Sequence, residues 1–340
     1  MARLPRKKNN SRLPPHVDRN HPVLSQRYAI HTPAIEGMAK VIGDWIAQKK
    51  TGGVIFGPSR FGKSKAMQWF LRDLLKQRFG KDIPLHMWTR TPDIQSSQAE
   101  FWKSLLKATG HRYAKDKRSW GERRDMLVEH LISLAKRCEG NFVALLIDES
   151  QALTLREWNW LLGLQNTLDR ENYRFSVYTV SSHQMGYQYE LMAHSDHPHV
   201  AARFMVAHAP FSGLTSEVEI KFVLEGYDFA SEWPKHSRAS YLAHFAPDAH
   251  ARGKRLASCA STVWQVMNAL LPEDYGGEAN FPMQHLALSV EKVLMNLAHG
   301  EDWDDATGEE AWLEAFAETQ FTDHMRLISA ELPRRRRKMA

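Results

Sequence analysis

"GPSRFGKS", which occupies residues 57–64, decides the fold class of this chain. Gly57 is followed by four residues and then by a glycine, a lysine and a serine, which is the spacing of a phosphate-binding loop. Upstream, residues 52–56 form a short apolar run that predicts a buried strand. Downstream, apolar residues recur at helical spacing: Met67, Phe70, Leu71, Leu74 and Leu75. Strand, glycine-rich turn and helix form the setting in which backbone N–H groups hold phosphate.

The residues of this loop have predicted roles. Lys63 would neutralise the β- and γ-phosphates of a nucleotide, and Ser64 would ligate Mg²⁺. The alternative is an accidental loop with a basic residue at a helix start, which the flanking strand and helix disfavour. The predicted nucleotide-binding residues are Gly57, Pro58, Ser59, Arg60, Phe61, Gly62, Lys63, Ser64 and Lys65.

A second motif, "FVALLIDES", supplies the carboxylates that a phosphate loop requires. Residues 142–147 are apolar throughout, as in a strand buried on both faces of a parallel sheet. Asp148 and Glu149 follow at the carboxyl end of that strand, where such sheets bind their ligands. Asp148 would reach Mg²⁺, and Glu149 would orient or deprotonate the attacking water. Two acids after a strand could also begin a solvated turn, but their pairing with the loop favours nucleotide hydrolysis.

Other segments complete a predicted α/β domain. Further strands are expected at residues 83–89, 174–180 and 205–211, and helices near 97–109 and 121–138. The fourth strand ends in three polar residues, Ser181, Ser182 and His183. They lie at its carboxyl end, where a residue that senses the γ-phosphate would be expected. From Thr215 the pattern is almost wholly helical. The predicted domains are a basic extension (1–27), a nucleotide-binding α/β domain (28–212), a helical domain (213–332) and a basic tail (333–340).

Charge is distributed unevenly along the 340 residues. Residues 1–12 and the tail "PRRRRKMA" each carry five Lys or Arg and no acid, whereas the whole chain has a net charge of +6. The segment between the two ends is therefore net acidic, and the ends suit a polyanion.

One internal segment departs from this pattern. Between Arg90 and Arg124, nine Lys or Arg accompany four Asp or Glu, with Trp102, Tyr113 and Trp120 interleaved. Such a run is either a solvated helix face or a nucleic-acid surface. The candidate DNA contacts are Arg90, Lys103, Lys107 and Arg112, with Lys115, Lys117 and Arg118 in reserve.

Composition points to a soluble, cytoplasmic protein without a membrane span. No apolar run approaches the length of a bilayer crossing, and the N-terminus lacks the apolar segment of a signal peptide. Cys138 and Cys259 are far apart and lack CxxC spacing, which argues against a disulfide framework or a zinc site.

Taken together, these motifs resemble those of AAA+ ATPases. Within that group, "IDESQAL", a helix ending "LQNTLD" and a strand ending "SSHQM" are similar to the TnsC/TniB regulators of DNA transposition. Arg203 and Phe204, leading into "PFSGLTSEVEI", resemble the arginine-finger segment of that family. The resemblance covers about residues 30 to 230. One departure is that "ASCASTVWQVM" holds no arginine where the helical lid often contributes one, which leaves Arg252 or Arg255 as substitutes.

The resemblance implies an AAA+ P-loop NTPase with a five-stranded, mostly parallel sheet, helices on both faces and a helical lid. It implies ATP and Mg²⁺ as cofactors, Ser182 as sensor and Arg203 as a residue that acts on a neighbour's ATP. It also implies a homo-oligomeric ring or helical filament on duplex DNA that links a target-selection protein to a transposase. The setting implied is bacterial cytoplasm, at the nucleoid when the protein is on DNA.

Two other classes of protein stay open on sequence grounds. A helicase loader or initiator, including the IstB-like helpers, would share the ATP site and the DNA binding. A secretion-associated AAA+ ATPase with an IDEAQ-like run would need neither DNA nor a transposase, although such proteins tend to carry a membrane span or a cell-wall module.

Overall fold

A computed structural model describes residues 13–91, 97–182, 189–190, 192 and 197–331 of the chain. Residues fall into two compact units. One unit runs from Pro33 to Ser212 and contains the phosphate-loop sequence. The other combines the chain before Pro33 with the chain from Gly213 onward.

The first unit is built on a five-stranded sheet in the order β2-β3-β4-β1-β5. Its strands are β1 (Gly52–Phe56), β2 (Leu85–Thr89), β3 (Phe142–Asp148), β4 (Arg174–Ser181) and β5 (His208–Pro210). Each neighbouring pair is parallel. All strands therefore end at one side of the sheet, the carboxyl edge, and begin at the opposite side, the amino edge. The predicted parallel α/β fold is confirmed.

Helices connect the strands and cover the sheet. Numbered along the chain from α1 (Pro22–Ser25) in the other unit, they are α2 (Pro33–Ala47), α3 (Lys63–Ala66), α4 (Arg72–Phe79), α5 (Gln98–Ala108), α6 (Trp120–Arg137), α7 (Leu155–Arg170) and α8 (Pro198–Phe204). A π-helical segment, Met67–Leu71, joins α3 to α4. Every residue of β3 from Val143 to Asp148 is buried. Because successive side chains point to opposite faces, both faces of the sheet are covered.

The last strand is shorter than the sequence predicts. We expected it over 205–211, but α8 ends at Phe204, and β5 spans only His208–Pro210. Phe204 and Met205 are buried in the core, which is why this apolar stretch has the pattern of a strand. β5 pairs with the last three residues of β1, Val54 to Phe56.

The side chain of Gln165 fixes α7 to the sheet. It is fully buried, and its Nε2 donates hydrogen bonds to the carbonyl oxygens of Phe175 (2.6 Å) and Thr51 (3.1 Å). These carbonyls lie at the start of β4 and just before β1, so the amide joins two strands at the amino edge. The glutamine of the "LQN" motif therefore has a structural role in this chain.

The second unit is helical. Its elements are α9 (Glu217–Glu225), a π-helical segment (Gly226–Ala230), α10 (Tyr241–Phe245), α11 (Pro247–Ala251), a 3₁₀ turn (Leu256–Cys259), α12 (Ala260–Ala269), α13 (Met283–Ala298), α14 (Trp303–Ala306), α15 (Glu309–Glu318) and α16 (Phe321–Glu331). Cys138 in the first unit and Cys259 here are both free thiols. Within the described ranges, no helix has both the length and the apolarity to cross a bilayer.

The described part of the N-terminal segment belongs to this helical unit. His21 is fully buried, with its ring 4.7 Å from that of His244 and 4.8 Å from that of Phe245. Tyr28 and Tyr227 share a hydrogen bond of 2.9 Å between their hydroxyls. The units therefore divide after Thr32 rather than at residue 27, because these aromatic contacts hold the segment in the helical core. Residues 1–12 and 332–340 lie outside the described part.

Candidate nucleotide-binding site

The phosphate-loop sequence lies between β1 and α3, at the carboxyl edge of the sheet. Gly57 is required there, because a Cβ at this position would be 2.6 Å from the carbonyl oxygen of Phe211. Gly62 precedes α3 with φ of 103°, in the left-handed region that glycine adopts freely. Phe61 is buried and anchors the loop from inside, whereas Ser59, Arg60 and Lys65 are exposed. The nine predicted residues therefore form one continuous turn into a helix.

The ammonium group of Lys63 folds back over this turn. Its Nζ donates hydrogen bonds to the carbonyl oxygens of Gly57 (2.8 Å) and Pro58 (2.6 Å). A cation held by neutral carbonyls can exchange those contacts for phosphate oxygens, which are stronger acceptors because they are charged.

Asp148 and Ser64 meet at the same edge. Burial raises the pKa of the Asp148 carboxyl, while a hydrogen bond from the Ser64 hydroxyl lowers it, and the positive charge of Lys63 also favours the ionised form. The hydroxyl and carboxylate predicted to hold Mg²⁺ are therefore in direct contact. Oxygen donors of these two kinds suit Mg²⁺, which usually takes only one or two protein ligands and fills the rest of its shell with phosphate and water.

Glu149 stands apart from its buried neighbour. Its side chain is exposed, and its backbone is left-handed, with φ of 57° and ψ of 39°. The backbone turn places the two adjacent carboxylates differently, one buried beside Ser64 and the other at the surface. The carboxylate of Glu149 accepts a hydrogen bond from the side-chain amide of Gln151. Sequence reasoning did not single out Gln151, although it stands in the "IDESQ" run.

Ser182 directly follows β4, at the same carboxyl edge of the sheet. Its backbone N–H donates to Oε1 of Gln151 at 3.3 Å. Its hydroxyl oxygen is buried and has no hydrogen-bond partner among the described residues. A buried hydroxyl without a partner is costly, and a phosphate oxygen would satisfy it, so the site fits a nucleotide. His183, the next predicted polar residue, lies outside the described residues.

Arg203 is far from this edge in its own chain. Its carbonyl oxygen accepts a hydrogen bond of 2.9 Å from the Thr51 hydroxyl, just before β1. Its guanidinium donates to Asn166 Oδ1 at 3.3 Å and lies 3.6 Å from an Asp169 carboxylate oxygen. These contacts are at the amino edge, and the six residue steps from Thr51 to Gly57 along β1 span about 20 Å at the usual rise per residue.

The DNA contact predicted at Arg90 does not fit the structure. The side chain is only 5% exposed, and its Nε lies 3.0 Å from Oε1 of the equally buried Glu157, without the alignment of a hydrogen bond. The Arg90 backbone N–H donates to the Asp148 carbonyl at 3.0 Å. Arg90 therefore stabilises the junction between β2, β3 and α7 and is unavailable to DNA. Trp102, expected among the surface aromatics, is 1% exposed and belongs to the core.

The other candidate DNA contacts remain at the surface. Lys103 is half-buried and pairs with Glu100 at 3.0 Å. Beyond it, the segment from 107 to 120, here called the α5–α6 loop region, exposes two aromatic rings, Tyr113 (52%) and Trp120 (51%). The exposed cations of this region are Lys107, Arg112, Lys115, Lys117 and Arg118.

In the helical unit, the two arginines considered as lid residues differ in their contacts. Arg255 donates hydrogen bonds to the carbonyl oxygens of His250 (3.0 Å) and Lys254 (2.7 Å), and its guanidinium lies 5.4 Å from the ring centre of Phe229. Arg252 is exposed at the end of α11. A nucleotide role for either residue stays a prediction.

Comparison with known proteins agrees with this geometry. Residues 46–180 match the AAA domain family in sequence. No curated protein sequence matches the chain. Among solved structures, the Aeropyrum pernix ORC2 protein in its ADPNP–ADP complexes has a TM-score of 0.58 at 14% identity, over 89% of this chain and 72% of that chain. The Walker-type ATPase of Pyrococcus abyssi has a TM-score of 0.51 at 12% identity, over 88% and 76%.

Drosophila ORC bound to DNA has a TM-score of 0.50 at 13% identity, over 86% of this chain and 67% of that chain. Identities this low establish a shared fold and nothing finer. The chain thus has the AAA+ P-loop NTPase fold, with an AAA domain over residues 46–180 and a helical C-terminal region.

Proposed function

We propose that this chain is an ATP-hydrolysing AAA+ protein that assembles on duplex DNA and regulates DNA transposition. The observation that carries the enzymatic part is the convergence of Lys63, Ser64, Asp148, Glu149 and Ser182 at the carboxyl edge of one parallel sheet. Phosphate binding, metal binding and water activation each have a residue of suitable chemistry there.

Binding of ATP begins with the loop between β1 and α3. Lys63 releases the carbonyl oxygens of Gly57 and Pro58 and pairs with the phosphates, while the backbone N–H groups of the turn hold them in place. Ser64 and Asp148 would hold Mg²⁺, which neutralises phosphate charge when bound. Glu149, exposed beside this pair, orients and deprotonates the attacking water.

Arg203 completes the site of a neighbouring chain. Within one chain it lies at the edge opposite the phosphate loop, so it cannot reach its own nucleotide without unfolding α8. Its guanidinium is 32% exposed and its contacts with Asn166 and Asp169 are long, so the group can turn toward a partner. A site built from two chains would couple assembly to the bound nucleotide.

Duplex DNA would lie against the α5–α6 loop region. Its exposed cations contact phosphates, which gives binding that depends on salt and tolerates any sequence. Repetition of weak contacts along an assembly multiplies their effect. The Drosophila ORC structure solved with DNA has a similar fold, which supports DNA binding by this chain.

Transposition is the finer part of the proposal, and its support is the "IDESQAL", "LQNTLD" and "RF" resemblance to the TnsC/TniB regulators. The implied partners are a transposase and a target-selection protein. The likeness in fold to ORC proteins favours a second candidate, a replication initiator or helicase loader. Stable capture of a transposase would support the first, and stable capture of a replicative helicase would support the second.

Electron microscopy of the full chain with duplex DNA and a non-hydrolysable ATP analogue tests the assembly directly. We expect rings or filaments on the DNA that disappear when nucleotide is omitted. A Lys63→Ala chain serves as the matched control and should stay unassembled. Dispersed monomers under all conditions would contradict the proposal.

A further inference from the structure

The side chain of Gln151 connects two parts of the nucleotide site. It lies in the short 3₁₀ turn Ser150–Ala152 that follows β3. Its Oε1 accepts a hydrogen bond from the backbone N–H of Ser182 (3.3 Å), and its Nε2 donates to the carboxylate of Glu149. One amide therefore spans from the end of β4 to the exposed acid after β3.

The chemistry of these partners fixes which way the amide faces. A backbone N–H can only donate, so the atom that faces Ser182 must be the oxygen of the amide. The NH₂ group is consequently turned to Glu149, whose carboxylate can only accept. No flipped amide would satisfy both contacts, so the arrangement is specific to an amide of this length.

This contact restrains an acid that otherwise has few restraints. Glu149 is exposed, and a carboxylate on a flexible stem samples many positions in water. We propose that Gln151 is a positioning residue, which holds the Glu149 carboxylate in one orientation and ties it to the end of β4. The inference rests on the proposed role of Glu149 as the group that activates water.

The same contact also links Glu149 to the phosphate loop. The Gly57 N–H donates to the Ser181 carbonyl oxygen at 3.2 Å, so the start of the loop and the end of β4 move together. Ser182, the next residue, holds the Gln151 oxygen. A shift of the loop when phosphate binds is thereby passed through a single side chain to Glu149.

Substitutions at Gln151 test this inference through the separate effects on kcat and KM. Gln151→Ala should lower kcat for ATP about 10- to 100-fold, because misplacing a reacting group by about 1 Å can cost roughly 10²-fold, with KM for ATP within about twofold of the parent. Gln151→Glu keeps the volume but replaces the donor with a like charge, so its loss of kcat should be at least as large. Gln68→Ala, an exposed glutamine on the π-helical segment, is the matched control and should leave both constants unchanged.

A double-mutant cycle separates positioning from a merely structural role. In a Glu149→Gln background, Gln151→Ala should change the residual single-turnover rate by less than about twofold, because the group it positions is already gone. An equal loss in both backgrounds, or an unchanged kcat in Gln151→Ala, would overturn the inference. Unimpaired turnover by Glu149→Gln would instead refute the proposed function of Glu149, so the two failures are distinguishable.

Discussion

Lys63 and Glu149 carry opposite charges at the same edge of the sheet, and their chemistry predicts different defects. Lys63→Ala should abolish ATP binding, because the phosphates lose the lysine charge that neutralises them. Glu149→Gln should still bind ATP but lose turnover by roughly 10²- to 10⁴-fold, the usual contribution of a general base. Binding of a fluorescent ATP analogue and steady-state phosphate release measure the two effects. Turnover by Glu149→Gln near the parent rate would refute its assignment.

Arg90 gives the opposite kind of prediction, a loss of stability without a loss of DNA binding. Arg90→Met leaves Glu157 as a buried, uncompensated charge, so the free energy of unfolding should fall by about 3–5 kcal/mol. Glu157 also caps α7 through the Thr154 backbone N–H at 2.8 Å, which ties the loss to that helix. Urea unfolding measures the change, with the exposed Lys107→Ala as control. A stable Arg90→Met chain with weakened DNA binding would restore the original DNA assignment.

At the level of secondary structure, sequence reasoning succeeds where the chemistry is local. β1, the phosphate loop and the following helix are contiguous, so spacing alone places Lys63 and Ser64. The acids at the carboxyl end of β3 are placed equally well, because the apolar run 142–147 and the two acids that end it are contiguous in the sequence.

The failures depend on contacts between distant parts of the chain. Arg90 follows a strand, as a surface cation would, and only Glu157 on α7 explains its burial. The apolar residues at 204–205 are the end of a helix, because the core that receives them is built from other elements. Nothing in the spacing of Gln151 from its sequence neighbours marks it as a site residue. Its link between Glu149 and Ser182 becomes evident only when β3 and β4 lie side by side.

The placement of α8 yields a prediction about mixtures of variants. Arg203→Ala chains should bind ATP but assemble and hydrolyse poorly. Mixing them with Lys63→Ala chains should recover part of the activity, because an intact phosphate loop can then meet an intact Arg203 from the other chain. ATP turnover of the mixture is the measurement, and Arg170→Ala, an exposed arginine at the end of α7, is the control. A mixture as inactive as either variant alone would contradict the two-chain site.

The cations of α5 and of the α5–α6 loop region can be tested through the salt dependence of DNA binding. A Lys103/Lys107/Arg112 triple alanine variant should lower the salt slope of duplex binding by about one for each phosphate contact removed. The loss should be similar for unrelated sequences, because phosphates carry no base information. Filter binding across a salt series measures the slope.

Chains that lack residues 1–12 or 333–340 are the comparison. They should bind more slowly yet keep ATP-dependent assembly. A parent slope in the triple variant, together with lost binding in a tail deletion, would assign DNA to the tails instead.

At the scale of the whole molecule, the N-terminal segment gives the helical unit a dependence on pH. Burial lowers the pKa of His21 to about 4, and the nearby His244 acts in the same direction. Because the folded state favours neutral His21, the stabilisation is complete above pH 6.5 and is lost as the pH falls toward 4, by up to about 1.4 kcal/mol per pH unit for one proton. Thermal unfolding from pH 7 to 4.5 should show a steeper decline for the parent than for His21→Phe. Parallel curves would contradict the assignment.

If Arg203 acts on a neighbour's nucleotide as proposed, its position at the amino edge would make any row of these chains directional. One end of an open row presents a nucleotide that no arginine reaches, and the other end presents an arginine with no nucleotide to meet. The subunit at the first of these ends would keep its ATP longest, whereas the nucleotide of every interior subunit would meet the Arg203 of a neighbour. The lifetime of an open filament would then depend on how many ends it has, whereas a closed ring would have no protected member.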